Sequence, residues 1–206
     1  MHITTEAQLR ELLGEPAAAA LAKERDALHE FDREWLAASP FCLVATSAAD
    51  GSCDVSPKGD PPGFALVLDD RTIALPERAG NGRADGYRNI LANPHVGLIF
   101  LLPGRTDTLR INGRARLVTD ADLLDRMVVK AHRPVLAVVV EIEQVFHHCA
   151  KAFLRSQLWD RSTWDRADAV PSRPRIAQRL ERPGASIEEL ERHYGPGYAA
   201  GLYPAS

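Results

Sequence analysis

The chain has 206 residues, of which 45% are hydrophobic, enough to bury a substantial core as one domain. Its 25 Lys and Arg against 28 Asp and Glu give a formal net charge of −3, so no global basic field indicates nucleic-acid binding. Three cysteines without a Cys-x-x-Cys pair suit a reducing compartment better than a disulfide framework. No apolar run approaches the ~18 residues that cross a bilayer, and no signal peptide is evident. We expect a cytoplasmic protein that binds neither nucleic acid nor a membrane.

Residues 1–40 are predicted to form an N-terminal helical segment. A first helix over 6–13 ends at Gly14, and the alanine-rich residues 17–23 begin a second one. Apolar residues at helical spacing over 28–36 predict a third helix with one apolar face. Ser39-Pro40 ends it, because proline disfavours the helical conformation of the residue before it.

The pattern then changes to short β-rich segments separated by turns, of which Asp50-Gly51 is the clearest hairpin signal. Strands are predicted over 41–46, 52–55, 64–68, 72–75, 96–102, 108–118 and 135–145, with helices over 83–91 and 119–130. Antiparallel strands joined by short turns around an inserted helix are typical of a small barrel rather than a doubly wound sheet. The predicted barrel spans residues 41–159 and ends in a helical stretch over 149–158.

Residues 160–206 are predicted to be a C-terminal loop and helices packed on the barrel. The polar stretch 160–175 contains two prolines and is predicted to be a loop. A helix follows over 176–180, and a capping box at Ser186 begins another.

Cationic and amide side chains recur where the predicted strands end. Ser56 and Lys58 are either solvated turn residues or, with nearby main-chain N–H groups, a cradle for an anion. Arg83 falls at the start of a predicted helix, where free N–H groups and a guanidinium suit a phosphate. Arg88 lies further along that helix and is equally well explained as a surface ion-pair partner.

Two further polar groups stand apart from these strand ends. Alternation places the polar residues of 108–112 on one face of a strand, as in an ordinary half-exposed strand or a strand that reads a planar heterocycle. Lys151 and Arg155 share a helical face, where two cations repel unless an anion or carboxylate lies between them. The run His147-His148-Cys149 cannot converge on one ion, so no metal site is predicted.

Several common catalytic motifs are absent from the sequence. It contains no Gly-x-Gly-x-x-Gly, Walker loop, His-Glu-x-x-His or Gly-x-Ser-x-Gly. Dinucleotide folds, P-loop hydrolysis, zincin chemistry and serine hydrolysis are therefore unsupported.

The order of the motifs resembles the pyridoxamine 5′-phosphate oxidase-like family of FMN-binding split barrels, over residues 41–159. The matching runs are Ser56-Pro-Lys-Gly, then Ile73-Ala-Leu-Pro-Glu-Arg before Asn81-Gly-Arg, then Asn93-Pro-His-Val-Gly, then Leu109-Arg-Ile-Asn-Gly-Arg-Ala. The ending His148-Cys-Ala-Lys-Ala-Phe-Leu-Arg is similar to an uncharacterised bacterial branch. The Arg-x-x-x-x-Lys strand and the Ser-Arg-Lys loop of the oxidase proper are not intact, so the resemblance does not indicate pyridoxamine phosphate as substrate.

The resemblance implies a mainly β, α+β fold: a six-stranded antiparallel split barrel with N- and C-terminal helices. It implies a homodimer with FMN at the subunit interface and an FMN-dependent oxidoreductase that acts on a small molecule, with the chemistry carried by the flavin. No side chain is assigned as catalytic. The cofactor-binding residues predicted from the residue patterns and the resemblance together are Ser56, Lys58, Gly59, Leu75, Pro76, Arg78, Asn81, Arg83, Asn89, Thr108, Arg110, Asn112, Lys151, Arg155 and Ser156.

Two alternatives stay open. The barrel could bind a flavin without turnover, as a sensor or carrier. It could instead hold haem or a deazaflavin, as relatives of this fold do, and His147 or His148 would then be the candidate axial ligands for haem.

Overall fold

A computed structural model of the chain describes residues 2–80 and 82–203. It contains one antiparallel sheet of seven strands in the order β2-β1-β5-β6-β7-β4-β3. The strands are β1 Phe41–Ser47, β2 Cys53–Gly59, β3 Leu66–Asp69, β4 Thr72–Pro76, β5 His95–Leu101, β6 Thr108–Val118 and β7 Ala137–His148. The predicted fold class is confirmed, and the sheet has one strand more than the six that the resemblance implied.

Helices precede, interrupt and follow the sheet. They are α1 Glu6–Leu13, α2 Ala18–Leu21, α3 Glu30–Ala38, α4 Asp85–Ala92, α5 Ala121–Asp125, α6 Lys151–Ser156, α7 Arg173–Leu180, α8 Ile187–His193 and α9 Pro196–Ala200, with a 3-10 helix over Arg161–Ala169. Within the described residues, no helix has both the length and the apolar character needed to cross a membrane.

The sheet has two faces of different character, set by the alternation of side chains along each strand. Val44 pairs with Leu98, and Leu98 with Ile111. All three are buried in the main core, which we call the core face; Trp35 and Leu36 of α3 belong to the same core. Residues one position along each strand point to the opposite side, which we call the outer face.

A bulge between β6 and β7 depends on Gly113. The register shifts between Asn112 and Gly113, so that Gly113 lies opposite Ile142. A Cβ at Gly113 would lie 2.0 Å from the carbonyl oxygen of Glu141, so no other residue fits without moving the strand.

The stretch 160–175 was predicted to be a loop, and this prediction is wrong. A 3-10 helix occupies Arg161–Ala169, where the Asp160 side chain accepts a hydrogen bond from the Ser162 amide. Helix α7 begins at Arg173 with a proline in its first turn, a position where proline is tolerated because its missing N–H would have no helical partner.

Two predicted helices are shorter than their patterns suggested. Helix α5 ends at Asp125, and the chain then turns through Lys130 and Ala131, both of which have positive φ angles of 48° and 65°. Helix α4 begins only at Asp85 because Ala84 before it adopts the left-handed conformation. The predicted start of α8 is confirmed, since the Ser186 side chain accepts a hydrogen bond from the Glu189 amide.

Candidate functional site

A cavity of about 460 Å³ opens between strand β2, the end of strand β4 and helix α4. Its apolar wall includes Leu75, Ile90 and Val138, and its polar wall carries hydroxyl, ammonium, guanidinium and carboxylate groups. This volume lies within the range of about 300–1,000 Å³ typical of pockets for small molecules and cofactors. The cavity can therefore enclose a ligand that combines an apolar body with polar groups.

The cavity belongs to the core face of the sheet. Ser56 lies opposite Val44, and Lys58 lies opposite Cys42, in the register that joins β2 to β1. Val44 and Cys42 are buried in the main core, so Ser56 and Lys58 point to the same side of the sheet. The predicted pair thus lines the cavity instead of standing on a solvated turn.

Lys58 is held in a hydrogen-bonded cluster with two residues that the sequence did not single out. Its Nζ atom donates to Glu77 Oε2 at 2.8 Å and to the Tyr87 hydroxyl at 2.7 Å. The Tyr87 hydroxyl in turn donates to Glu77. The cluster joins β2, the end of β4 and α4, the three elements that bound the cavity.

Arg78 is fixed by a second and more deeply buried cluster. Its Nε donates to Asp60 Oδ2 at 2.5 Å, and the Asp60 side chain is only 1% exposed. Its Nη1 and Nη2 donate to the main-chain carbonyls of His132 and Met127 at 3.1 Å and 2.7 Å. The Tyr203 hydroxyl donates to the other oxygen of Asp60. Arg78 lines the cavity, but these partners give it a role in holding the wall together.

Arg83 lies at the exposed rim of the cavity, just before α4. Its side chain is 73% exposed, and its Nε donates to Asp85 Oδ2 at 2.6 Å. The Asp85 carboxylate raises the pKa of the Arg83 guanidinium, and the same hydrogen bond lowers the pKa of Asp85. Arg88 also pairs with Asp85, at 2.5 Å, as the surface interpretation of Arg88 expected.

The other predicted residues of this region divide as follows. Gly59, Leu75 and Pro76 line the cavity. Asn89 donates its amide to Thr46 Oγ1 at 3.0 Å, and it is Thr46 that lines the cavity. Asn81 lies outside the described residues.

The predicted polar residues of β6 lie on the other side of the sheet. Arg110 and Asn112 alternate with Leu109 and Ile111, which are fully buried in the core. Asn112 donates its amide to Gln144 at 2.6 Å, and Arg110 Nε donates to Asn112 at 3.3 Å. Thr108 shares this face and is buried. These residues belong to the outer face, and none of them is among the residues that line the cavity.

The C-terminal group of predicted residues forms neither part of the cavity nor an ion pair within residues 2–80 and 82–203. Lys151 and Arg155 are both exposed on α6, and Ser156 donates its hydroxyl to the Phe153 carbonyl at 3.1 Å. The Lys151 main-chain N–H lowers the pKa of the nearby Cys149 thiol. The structure thus separates this group from Ser56, Lys58 and the cavity.

Glu77, Tyr87 and Asp60 were missed because their sequence context is ordinary. Glu77 follows a strand, Tyr87 lies on a short helix, and Asp60 stands beside two prolines, so each fits a surface position. Their hydrogen-bond partners are distant in the chain. Tyr87 bonds Glu77 and Lys58, which are 10 and 29 residues away, and Asp60 bonds Tyr203, which is 143 residues away. A possible signal was the Lys-Gly-Asp run itself, which places a cation and a carboxylate at one strand end.

Comparison with known proteins identifies the family of this chain. The family model for pyridoxamine 5′-phosphate oxidase matches residues 28–149. Comparison with curated proteins finds no match. Similar solved structures include HupZ of Group A Streptococcus, with 19% identity over 58% of this chain and 93% of that chain and a TM-score of 0.48.

Two further structures have lower TM-scores. A candidate pyridoxamine 5′-phosphate oxidase of Lactobacillus delbrueckii has 26% identity over 59% of this chain and 95% of that chain, with a TM-score of 0.46. An F420 reductase has 20% identity over 59% of this chain and 98% of that chain, with a TM-score of 0.41. Because the family model covers more than half of the sequence and includes β1 to β7, the chain belongs to the pyridoxamine 5′-phosphate oxidase family.

Proposed function

We propose that the protein is an FMN-binding flavoprotein and acts as an FMN-dependent oxidoreductase on a small molecule in the cytoplasm. The observation that carries this proposal is the core-face cavity, in a chain of this family. The cavity has an apolar wall for a ring system and an exposed guanidinium at its rim for a phosphate.

The residues present fit FMN by their chemistry. Arg83 and the Ser56 hydroxyl would hold the phosphate, since guanidinium and hydroxyl groups both donate to phosphate oxygens. Leu75 and Ile90 would pack against the isoalloxazine ring and keep water away from it. When bound, the flavin supplies the electron or hydride transfer, while the protein binds and orients it.

We also propose that the protein is a homodimer. The outer face carries Arg110 and Asn112 together with apolar side chains such as Ile99, which is 37% exposed. Side chains of the outer face cannot reach the cavity of their own sheet, because they point away from it. A second copy is therefore required if Arg110 and Asn112 are to approach the same flavin as Ser56.

The absorption spectrum of the purified protein tests the proposal, followed by mass spectrometry of the ligand that denaturation releases. A yellow protein with flavin bands that releases FMN supports it. A Soret band would indicate haem instead, and a deazaflavin mass would indicate that cofactor. A colourless protein that takes up no FMN when the cofactor is added would contradict the proposal.

A flavin-bound protein can still lack turnover. Stopped-flow reduction of the bound flavin by NADH or NADPH, and its reoxidation by oxygen or quinones, separates an oxidoreductase from a carrier. A flavin that none of these donors and acceptors reduces or reoxidises would favour the carrier.

A further inference from the structure

The charged side chains of the cavity are matched in pairs. Three basic residues line its described part, and each forms an ion pair: Lys58 with Glu77, Arg78 with Asp60, and Arg83 with Asp85. Asp54 adds a fourth carboxylate to the lining. The cavity is therefore not uniformly cationic, and an anionic ligand would lie near a carboxylate at each of the three basic residues.

The three ion pairs differ in how accessible their basic side chain is to an anionic ligand. Arg78 is fixed by Asp60 and by two main-chain carbonyls, so its donors point into the protein. Arg83 is 73% exposed, where solvent weakens its pairing with Asp85. Lys58 is only 21% exposed, and its ammonium bonds Glu77.

We propose that Glu77 is a specificity-determining residue of the cavity. Its carboxylate neutralises Lys58, which also donates to the Tyr87 hydroxyl, so the ligand's anionic group binds at Arg83 and the region around Lys58 receives a neutral polar part of the ligand. This inference rests on the proposed function, which supplies a ligand with one charged and one neutral end.

The physical reason is the position of the Glu77 carboxylate. An anion that contacted Lys58 Nζ would also lie close to Glu77 Oε2, which is 2.8 Å from that nitrogen. An anion on the third N–H of Lys58 would face the negative charge of Glu77 in a partly buried site, where water screens the repulsion poorly. An anion that took the place of Glu77 would leave that carboxylate without its ion-pair partner.

Affinities for FMN and for riboflavin, which lacks the phosphate, test this assignment. In the wild-type background, Arg83→Ala should lower the ratio of FMN to riboflavin affinity by at least about tenfold. Lys58→Met should change that ratio by less than about threefold. Lys58→Met lowering the ratio as much as Arg83→Ala would overturn the proposal, without any change at Glu77.

Glu77→Gln keeps the size of the side chain and removes its charge. We expect it to raise the ratio of FMN to riboflavin affinity about tenfold, because Lys58 can then form a hydrogen bond to the charged phosphate of FMN. The gain should vanish in the double variant Lys58→Met/Glu77→Gln. Glu34→Gln removes the same charge at an exposed position of α3 that does not line the cavity, and we expect it to leave the ratio within about twofold. An equal gain in Glu34→Gln would mean that only the net charge of the protein matters.

A flavin-free measurement separates failure of this inference from failure of the proposed function. Acetylation of Lys58 by acetic anhydride, mapped by peptide mass spectrometry, is measured with and without inorganic phosphate. Phosphate should protect Lys58 in Glu77→Gln but not in the wild type or in Glu34→Gln. Protection in the wild type, or none in Glu77→Gln, would overturn the inference. Failure of the protein to bind any flavin, with this protection pattern intact, would overturn only the proposed function.

Discussion

The two faces of the sheet carry different halves of the predicted site. On the core face, Ser56 and Lys58 line a cavity that α4 helps to enclose. On the outer face, Arg110 and Asn112 bond to each other and to β7. The difference shows that a set of polar residues gathered along a sequence can be divided by a single sheet, because alternate side chains point to opposite sides.

The comparison separates binding from assembly. The core-face residues line a cavity within one chain, whereas the outer-face residues would contact a ligand of that cavity only through a second copy. Each experiment below compares one position with a matched reference position.

The cysteines give the largest expected contrast between buried and exposed positions. Burial raises the pKa of the core-face Cys42 thiol to about 12, whereas the Lys151 N–H lowers the pKa of the exposed Cys149. Only the thiolate is nucleophilic, so alkylation by iodoacetamide at pH 7.5 should be roughly a thousandfold faster at Cys149. Peptide mapping over time measures both rates. Comparable rates at the two positions would mean that Cys42 is accessible and that the core face is not closed around it.

Two arginines of the cavity differ in what they support. Arg78→Met leaves Asp60 buried without its ion-pair partner, which should lower the free energy of unfolding by about 3–5 kcal/mol. Arg83→Met, at the exposed rim of the same cavity, is the control and should leave stability nearly unchanged. Urea denaturation measures both. Equal losses for the two variants would contradict the division between a structural and a binding arginine.

A charge on the outer face tests the proposed dimer. Ile99→Asp would place a carboxylate in the interface, and we expect the dimer dissociation constant to rise at least about a hundredfold. Leu91→Asp on α4 is the control, since Leu91 is even more exposed and lies outside this face. Light scattering distinguishes the 22.6 kDa monomer from the dimer. A wild-type protein that is monomeric with flavin bound would refute the dimer.

The rim arginine has a neighbour that serves as its control. Arg83→Ala should weaken FMN at least about tenfold and riboflavin much less, because only FMN carries the phosphate. Arg88→Ala removes a guanidinium that also pairs with Asp85 but does not line the cavity, so FMN should be retained. Fluorescence quenching of the flavin measures both affinities. Equal losses of FMN and riboflavin in Arg83→Ala would mean that the residue supports the loop instead.

The smallest effects are expected at α6. Lys151→Met and Arg155→Met remove exposed cations outside the cavity, which would contact a flavin only in the proposed dimer. We expect FMN to bind about threefold more weakly in each and the flavin midpoint potential to fall, since a nearby cation favours the anionic reduced flavin. If neither the FMN affinity nor the midpoint potential changes in either variant, α6 is not part of the flavin site.

The alternation of polar and apolar residues predicted the strands and the direction of their side chains. Thr108, Arg110 and Asn112 were correctly placed on one face, and the hairpin at Asp50-Gly51 joins β1 and β2 as expected. What the pattern could not provide was which face enclosed a cavity. That depends on strand order, which brings β4 to β7 and α4 onto β1 and β2.

The ion-pair partners of the charged residues could not be predicted from the sequence either. Lys58 and Arg78 looked alike in the sequence, as cations after strands. Their different surroundings come from Glu77, Tyr87 and Asp60, whose pairing is decided by tertiary packing. Long-range ion pairs have no local signature, because any surface carboxylate has the same sequence context.

A crystal structure of the protein with FMN tests the central claim most directly. The account predicts the isoalloxazine ring in the cavity between β2, the end of β4 and α4, with the phosphate within hydrogen-bond distance of Arg83 and Ser56. Glu77 should remain bonded to Lys58. FMN bound only on the outer face, or with its phosphate on Lys58 and Glu77 displaced, would contradict it.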